Sequence, residues 1–201
     1  TMMPGDAFLI NAPYNGGTHL PDITLIKPVY DEKNEQVIFY VATRGHHSDI
    51  GGTVPGSAPA YSTHVKEEGM LIDNFLLVSK GVFLEEEIYD LLTSGEYPVR
   101  NVKVNIADLK AQVAAAEKGA QELLKVIDHY GLDVVHAYMR HVQDNAEECV
   151  RRVLDVLSDS SFTYKMDDEN QVCVAISVDK AERTATIDFT GTSEQHPSNF
   201  N

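Results

Sequence analysis

The sequence predicts an α+β fold, with mixed or antiparallel strands at both ends and a long helical hairpin between them. Three observations carry this. The first 104 residues show short apolar and β-branched runs separated by Gly, Pro and Asn. Residues 105–158 switch to a three- and four-residue apolar repeat. Strand-like alternation then returns near residue 171. Strands, helices and strands in that order, without regular βαβ alternation, favour α+β over a doubly wound sheet.

Ala7-Phe8-Leu9-Ile10-Asn11 reads as a strand that enters a loop at Pro13 and Gly16-Gly17. Ile23 to Tyr30 is apolar and β-branched, and Pro28 points to an edge or a strand end. Asp31 to Glu35 is a polar turn, and Gln36 to Thr43 is the strongest strand, so the two runs form a hairpin. Thr53 to Thr63 is a Pro/Gly/Ser/Ala loop expected to be ordered and to cover a site. Gly69 to Ile72 and Asn74 to Val78 read as strands, with a turn at Gly81. Glu85 to Ser94 is a short helix with Ile88, Leu91 and Leu92 on one face, stopped by Gly95. From Asn105 to His129, Ile106, Leu109, Val113, Ala116, Ala120, Leu123, Leu124 and Ile127 mark one helical stripe. Gly131 breaks it. Leu132 to Leu157 carries a second stripe through Val135, Tyr138, Met139, Val142, Ala146, Cys149, Val153 and Leu157. Gln171 to Val178 and Thr184 to Phe189 form a β-hairpin around Asp179 to Glu182. The expected organisation is a β-rich region over 1–104, a helical hairpin over 105–158 and a β-hairpin region over 159–201. Together they make one domain or part of one, cut from a longer chain.

A chain of 201 residues with 43% apolar content can bury a core. A formal charge of −15 argues against nucleic acid and against an anionic membrane surface, both of which need clustered Lys and Arg. No apolar run approaches the ~20 residues of a membrane span. The two cysteines, Cys149 and Cys173, sit in apolar surroundings and read as buried free thiols in a reducing, cytoplasmic setting.

Chemistry concentrates in two segments, Gly16-Gly17-Thr18-His19-Leu20-Pro21-Asp22 and Arg44-Gly45-His46-His47-Ser48-Asp49-Ile50-Gly51-Gly52. Imidazole and carboxylate bind divalent metals or move protons near neutral pH. His19 and Asp22 are a plausible ligand pair for a cation such as Mn²⁺, Zn²⁺ or Fe²⁺. The hairpin brings its open ends together, so the His19 segment meets the His46 segment. Adjacent residues on an extended chain face opposite ways, so one of His46 and His47 ligates and the other supports or packs. The glycine pairs could offer N–H groups to an anion. The chain has no phosphate-loop motif, so an ATP site among these residues is not expected. On the second long helix, His141, Asp144 and Asn145 share a face with Tyr138 one turn earlier.

These segments resemble the hydantoinase B/5-oxoprolinase family, which also includes an acetone-carboxylase subunit. The resemblance extends from Asn11-Ala12-Pro13-Tyr14-Asn15 into the first segment and through the second. It continues through Glu68-Gly69, Asp73-Asn74, Tyr138 to Glu147, and Asp188-Phe189-Thr190-Gly191-Thr192-Ser193. It implies a B-type part of an ATP-dependent hydrolase that opens a cyclic amide, 5-oxoproline or a hydantoin. ATP and Mg²⁺ would sit on a separate A-type subunit or domain within an oligomeric, multisubunit enzyme. It implies His19, Asp22 and His46 as metal ligands, with a further acidic ligand preceding Thr1. Asp49 would then orient a ligand imidazole and His47 would support the site, while His141 and Asn145 would contact substrate. The alternatives are a metal-dependent carboxylase subunit of the acetone-carboxylase kind, and an inactive assembly module.

Overall fold

The computed structural model describes residues 2–167 and 169–196. The chain divides inside a long helix into two compact units, one ending at Lys125 and the other beginning at Val126.

The first unit is built on a five-stranded antiparallel sheet in the order β3-β2-β1-β4-β5. The strands are β1 Ala7–Ile10, β2 Asp22–Tyr30, β3 Val37–His46, β4 Phe75–Ser79 and β5 Val82–Phe83. The β2–β3 hairpin pairs along its whole length, from Tyr30↔Val37 near the turn to Asp22↔His46 at the open end. Pro28 lies inside this ribbon but beyond Ile26, the last β2 residue paired with β1. Its missing N–H therefore falls where the β1 ladder has already stopped.

Side chains alternate across this ribbon. Ile23 and Leu25 are fully buried. They join Leu9 and Leu77 against Ile88 and Leu92 of α2 (Glu85–Thr93) and Leu109 and Ala116 of α3 (Val102–Tyr130). Gly45 of β3 faces the same helix layer, because a Cβ placed there would meet the Gln112 side chain at 3.2 Å. Asp22, Thr24, Arg44 and His46 therefore occupy the opposite face of the ribbon.

Gly69 to Ile72 is not a strand. Its backbone bonds elsewhere: Met70 N–H donates to the Ile50 carbonyl at 2.7 Å, and Ile72 N–H donates to Asn11 Oδ1 at 2.6 Å. A single turn, α1 (Val65–Glu68), precedes it.

The second unit contains α4 (Leu132–Val156) and a three-stranded antiparallel sheet. The strands are β6 Ser160–Lys165, β7 Gln171–Asp179 and β8 Thr184–Asp188. The expected hairpin is β7–β8, and β6 is an additional strand that pairs with β7 from Ser160↔Ile176 to Lys165↔Gln171. Arg151 of α4 donates to the Arg183 carbonyl at 2.9 Å, and Arg183 pairs with Glu148 at 3.1 Å, tying the helix to the β7–β8 turn. Of the stripe expected to be buried on α4, only Val135 is. Cys149 is exposed and Cys173 half-buried, which corrects the expectation of buried thiols. An apolar stripe marks a face that can be covered, and this one lies open among the described residues.

Two long helices thus lie between two strand regions, as an α+β fold requires. No helix of the described residues is long and apolar enough to cross a membrane.

Candidate metal centre

The open end of the β2–β3 hairpin positions the site. Asp22 and His46 are direct cross-strand partners. His46 Nδ1 lies 2.7 Å from Asp22 Oδ1, and the imidazole is 63% exposed. The His19 ring sits 5.6 Å from the His46 ring, centroid to centroid. One ligand atom each from His19, Asp22 and His46 lies within 4.8 Å of the others. Two imidazole nitrogens and a carboxylate oxygen suit Mn²⁺, Zn²⁺ or Fe²⁺. Ligands about 2.1 Å from an ion stand roughly 3–3.5 Å apart, so small rotamer changes bring this set to coordination distance.

The loop that carries His19 is pinned from below. Leu20 and Pro21, the two turn residues that follow His19, are buried, whereas His19 is exposed. Asn11, fully buried, donates to the carbonyls of Leu20 at 2.8 Å and Met70 at 2.9 Å and accepts from Ile72 N–H. His47 N–H donates to the Pro21 carbonyl at 2.8 Å, which fastens the loop to the end of β3. Gly17 is required by close approach, since a Cβ there would lie 2.2 Å from the Asn11 carbonyl oxygen.

His46 and His47 face opposite ways, as alternation predicts. His47 is 1% exposed. Its Nδ1 accepts from Asn105 Nδ2 at 3.0 Å, and its Nε2–H donates to Gln112 Oε1 at 3.2 Å. That pairing selects the neutral Nε2–H tautomer. Burial pushes its pKa below the ordinary imidazole value, against the smaller opposing pull of the Gln112 bond. His47 therefore packs β3 onto α3 from the face away from His46. It is a positioning residue and does not touch the cluster.

Asp49 is also taken up structurally. Oδ1 accepts N–H bonds from Gly51 and Arg100, both at 3.1 Å. Oδ2 accepts from Gly56 N–H at 3.1 Å and from the Arg100 guanidinium at 2.8 Å. Burial alone would raise its pKa, but these donors outweigh it and hold the carboxyl below the usual carboxylate range. The expected bond from Asp49 to a ligand imidazole is absent; Asp22 is the carboxylate at His46. The Gly51 and Gly52 amides are likewise engaged, by Asp49 Oδ1 and by the Tyr97 carbonyl at 3.1 Å. Gly17 N–H donates to the Ala12 carbonyl at 2.8 Å. These three groups are not a ready anion nest. The loop after Gly52 is ordered through Ser57, whose hydroxyl accepts from Ile50 N–H and donates to the Gly51 carbonyl.

His141 and Asn145 lie on α4 in the second unit, both exposed. His141 Nδ1 is 3.9 Å from Asp144 Oδ2, and the Tyr138 ring meets the His141 ring edge-on at 5.8 Å. His141, Asp144 and Tyr138 thus meet on one face of α4.

Three residues that the motifs did not flag shape the site, Arg100, Asn105 and Gln112, as does Asn11, which stood in the first signature without a role. Asn105 and Gln112 carried a usable signal. Both fall on the buried face of α3 beside Ile106, Leu109 and Ala116, where a polar side chain must find a partner.

The chain is similar to 5-oxoprolinase from Dictyostelium discoideum, 41% identical over 98% of this chain but 16% of that protein. It spans about a sixth of that relative's length. Its fold matches the ATP-dependent caprolactamase of Pseudomonas jessenii with a TM-score of 0.80 and 27% identity, covering 96% of this chain and 33% of that one. It also matches acetone carboxylase in a nucleotide-free structure with a TM-score of 0.82. That match covers 98% of this chain and 28% of the other at 16% identity, a likeness of fold alone. The family described as Hydantoinase B/oxoprolinase matches residues 1–201, the two Gly/His/Asp segments included. With that match across its whole length, the chain belongs to the hydantoinase B/oxoprolinase family.

Proposed function

We propose that this chain forms the metal-holding B-type part of an ATP-dependent hydrolase that opens a cyclic amide, 5-oxoproline or a hydantoin. The observation that carries this reading is the convergence of His19, Asp22 and His46 at the open end of one hairpin. The similar 5-oxoprolinase and the caprolactamase, both named for opening cyclic amides, support it. ATP would be handled by a separate A-type subunit or domain, which phosphorylates the lactam oxygen and makes the ring carbon electrophilic toward water.

A divalent cation held by His19, Asp22 and His46 would supply Lewis acidity or a metal-activated water. The rest is done by the chain's own side chains. Asp22 sets the His46 ring through their 2.7 Å contact. Asn11 and the Pro21–His47 bond hold His19 against that pair. His47, locked by Asn105 and Gln112, keeps the strand end from slipping, which would turn His46 to the buried face. Asp49 and Arg100 fix the loop that follows.

The test is an assay of the purified full chain, with its A-type partner, on 5-oxoproline and ATP with and without chelator, alongside metal analysis. Glutamate formation that is lost with chelator is expected. His19→Ala should release the metal, and full metal retention in that variant would sink the ligand assignment. A β-keto acid formed from a ketone and bicarbonate would instead place the chain with the carboxylases. Absence of both metal and turnover would mark an assembly module.

A further inference from the structure

Arg44 stands on the same face of the ribbon as the cluster, two positions before His46 on β3 and so about 7 Å along the strand. Its cross-strand partner is Thr24, as Asp22 is the partner of His46. Its guanidinium is held in place by hydroxyls. Nε–H donates to Thr24 Oγ1 at 2.8 Å, and Nη1–H reaches Thr18 Oγ1 at 3.4 Å, the residue just before His19. Thr24 itself is buried at 8% exposure, so the anchor is firm.

Among the described residues no carboxylate forms an ion pair with Arg44, although Asp and Glu outnumber Lys and Arg by 31 to 16 in the chain. The other basic residue of the two strands, Lys27, pairs with Glu117 of α3. Asp22, the acidic residue that β2 places on this face, turns its Oδ1 to His46. Arg44 is thus an oriented cation whose Nη2 retains both of its N–H groups, placed beside a second cation's binding site. An anion lying between two like charges on one face is attracted by both and lowers their mutual repulsion.

We propose that Arg44 is the oxyanion receptor of this site. It would bind a carboxylate or phosphoryl oxygen of the ligand in the space between the guanidinium and the cation held by His19, Asp22 and His46. The proposal rests on the metal reading above. A planar guanidinium with three of its five N–H groups free, two of them on Nη2, suits such an oxyanion, and Lys in its place would lose the Thr24 anchor as well as the fork.

The experiment loads the full chain with Mn²⁺, follows binding by loss of the free-ion electron paramagnetic resonance signal, and then titrates inorganic phosphate and, separately, 5-oxoproline. Arg44→Gln should keep Mn²⁺ affinity, which also reports an intact fold, and weaken the bound oxyanion by about tenfold or more. Thr24→Val, which frees Nε, should give a smaller loss, and Arg44→Lys should rescue only part. Loss confined to phosphate identifies a phosphoryl group as the partner, and loss confined to 5-oxoproline identifies its carboxylate. Metal-loaded wild type that binds neither anion, or Arg44→Gln that binds both as wild type does, overturns the proposal while leaving the metal reading intact. Wild type that takes up no Mn²⁺ overturns the metal reading and this proposal with it.

Discussion

Asn11 shows how much of the site depends on one side chain that never meets a ligand. It makes three bonds to backbone groups of two other segments and is fully buried. Replacing it by Ala leaves buried partners unpaired, at about 1 kcal/mol or more for each bond. Asn11→Ala should therefore lower the denaturant midpoint by about 3 kcal/mol equivalent and loosen the His19 loop. His19→Ala, Asp22→Ala and His46→Ala should behave oppositely. The imidazoles are exposed, so stability should hold, while Mn²⁺ or Zn²⁺ affinity measured by calorimetry should fall about 100-fold or more. Asp49 gives a pH signature. Its carboxyl lies below the usual carboxylate range, so its stabilising contribution is fully present above about pH 4 and is lost as pH falls through the lower folded-state value. Asp49→Asn should cost about 1–3 kcal/mol at neutral pH, and the gap to wild type should close on acidification, as urea melts at pH 7 and near pH 3 would show. A constant gap across that range would contradict the assignment.

The β2–β3 hairpin is the element that makes a site out of two loops. Its register pairs Asp22 with His46, and a slip by one residue would send His46 toward α3 and His47 outward. Helix α3 guards against that slip with His47, Gly45 and Thr43, all of which meet Gln112. Gln112→Leu should remove the partner of His47 Nε2 and of the Ile23 carbonyl. It should weaken metal binding although Gln112 touches no proposed ligand, and the urea midpoint should fall by about 1–3 kcal/mol equivalent. The pairing itself was legible in the sequence, because a β-branched run, a polar turn and a second such run specify a hairpin whose ends must meet. The lock was not. His47 pairs with residues 58 and 65 positions away, and on a sequence Asn105 and Gln112 look like ordinary polar helix residues. The Gly69–Ile72 error has a similar cause. An apolar run can be extended without joining a ladder, and here its amides bond to Ile50 and to the Asn11 side chain instead.

For the whole molecule, the two units differ in how fully they bury their apolar residues. The first has a continuous core through Leu9, Ile23, Leu25, Leu77, Ile88, Leu92 and Leu109. In the second, β6 and β8 are exposed throughout, and Phe162, Tyr164, Ile187 and Phe189 are each more than half accessible among the described residues. Contiguous apolar surface of this kind favours association. The isolated 201-residue chain should self-associate in a concentration-dependent way, and Phe162→Ser with Ile187→Ser should reduce it without disturbing metal uptake by the first unit. Light scattering of both proteins is the check, and equal association would exclude this surface as the cause. The exposed stripe of α4 and the exposed Cys149 belong to the same pattern. Hydrophobic periodicity reports which face can be buried, not whether anything in the chain covers it.

The sequence by itself determined the α+β class, the two long helices and the hairpin whose open end brings His19 and Asp22 to the His46-His47 pair; the choice of His46 over His47 was what the family resemblance implied. Each of these follows from local periodicity or from residues that the hairpin brings together. The tertiary structure decided the division of labour among the remaining polar residues. His47 and Asp49, side by side with His46 in the chain, face α3 and Arg100, while Arg44 turns to the face that carries the cluster. Those outcomes depend on sheet pleat and on partners more than fifty positions away, and a buried polar group takes whichever partner the fold delivers.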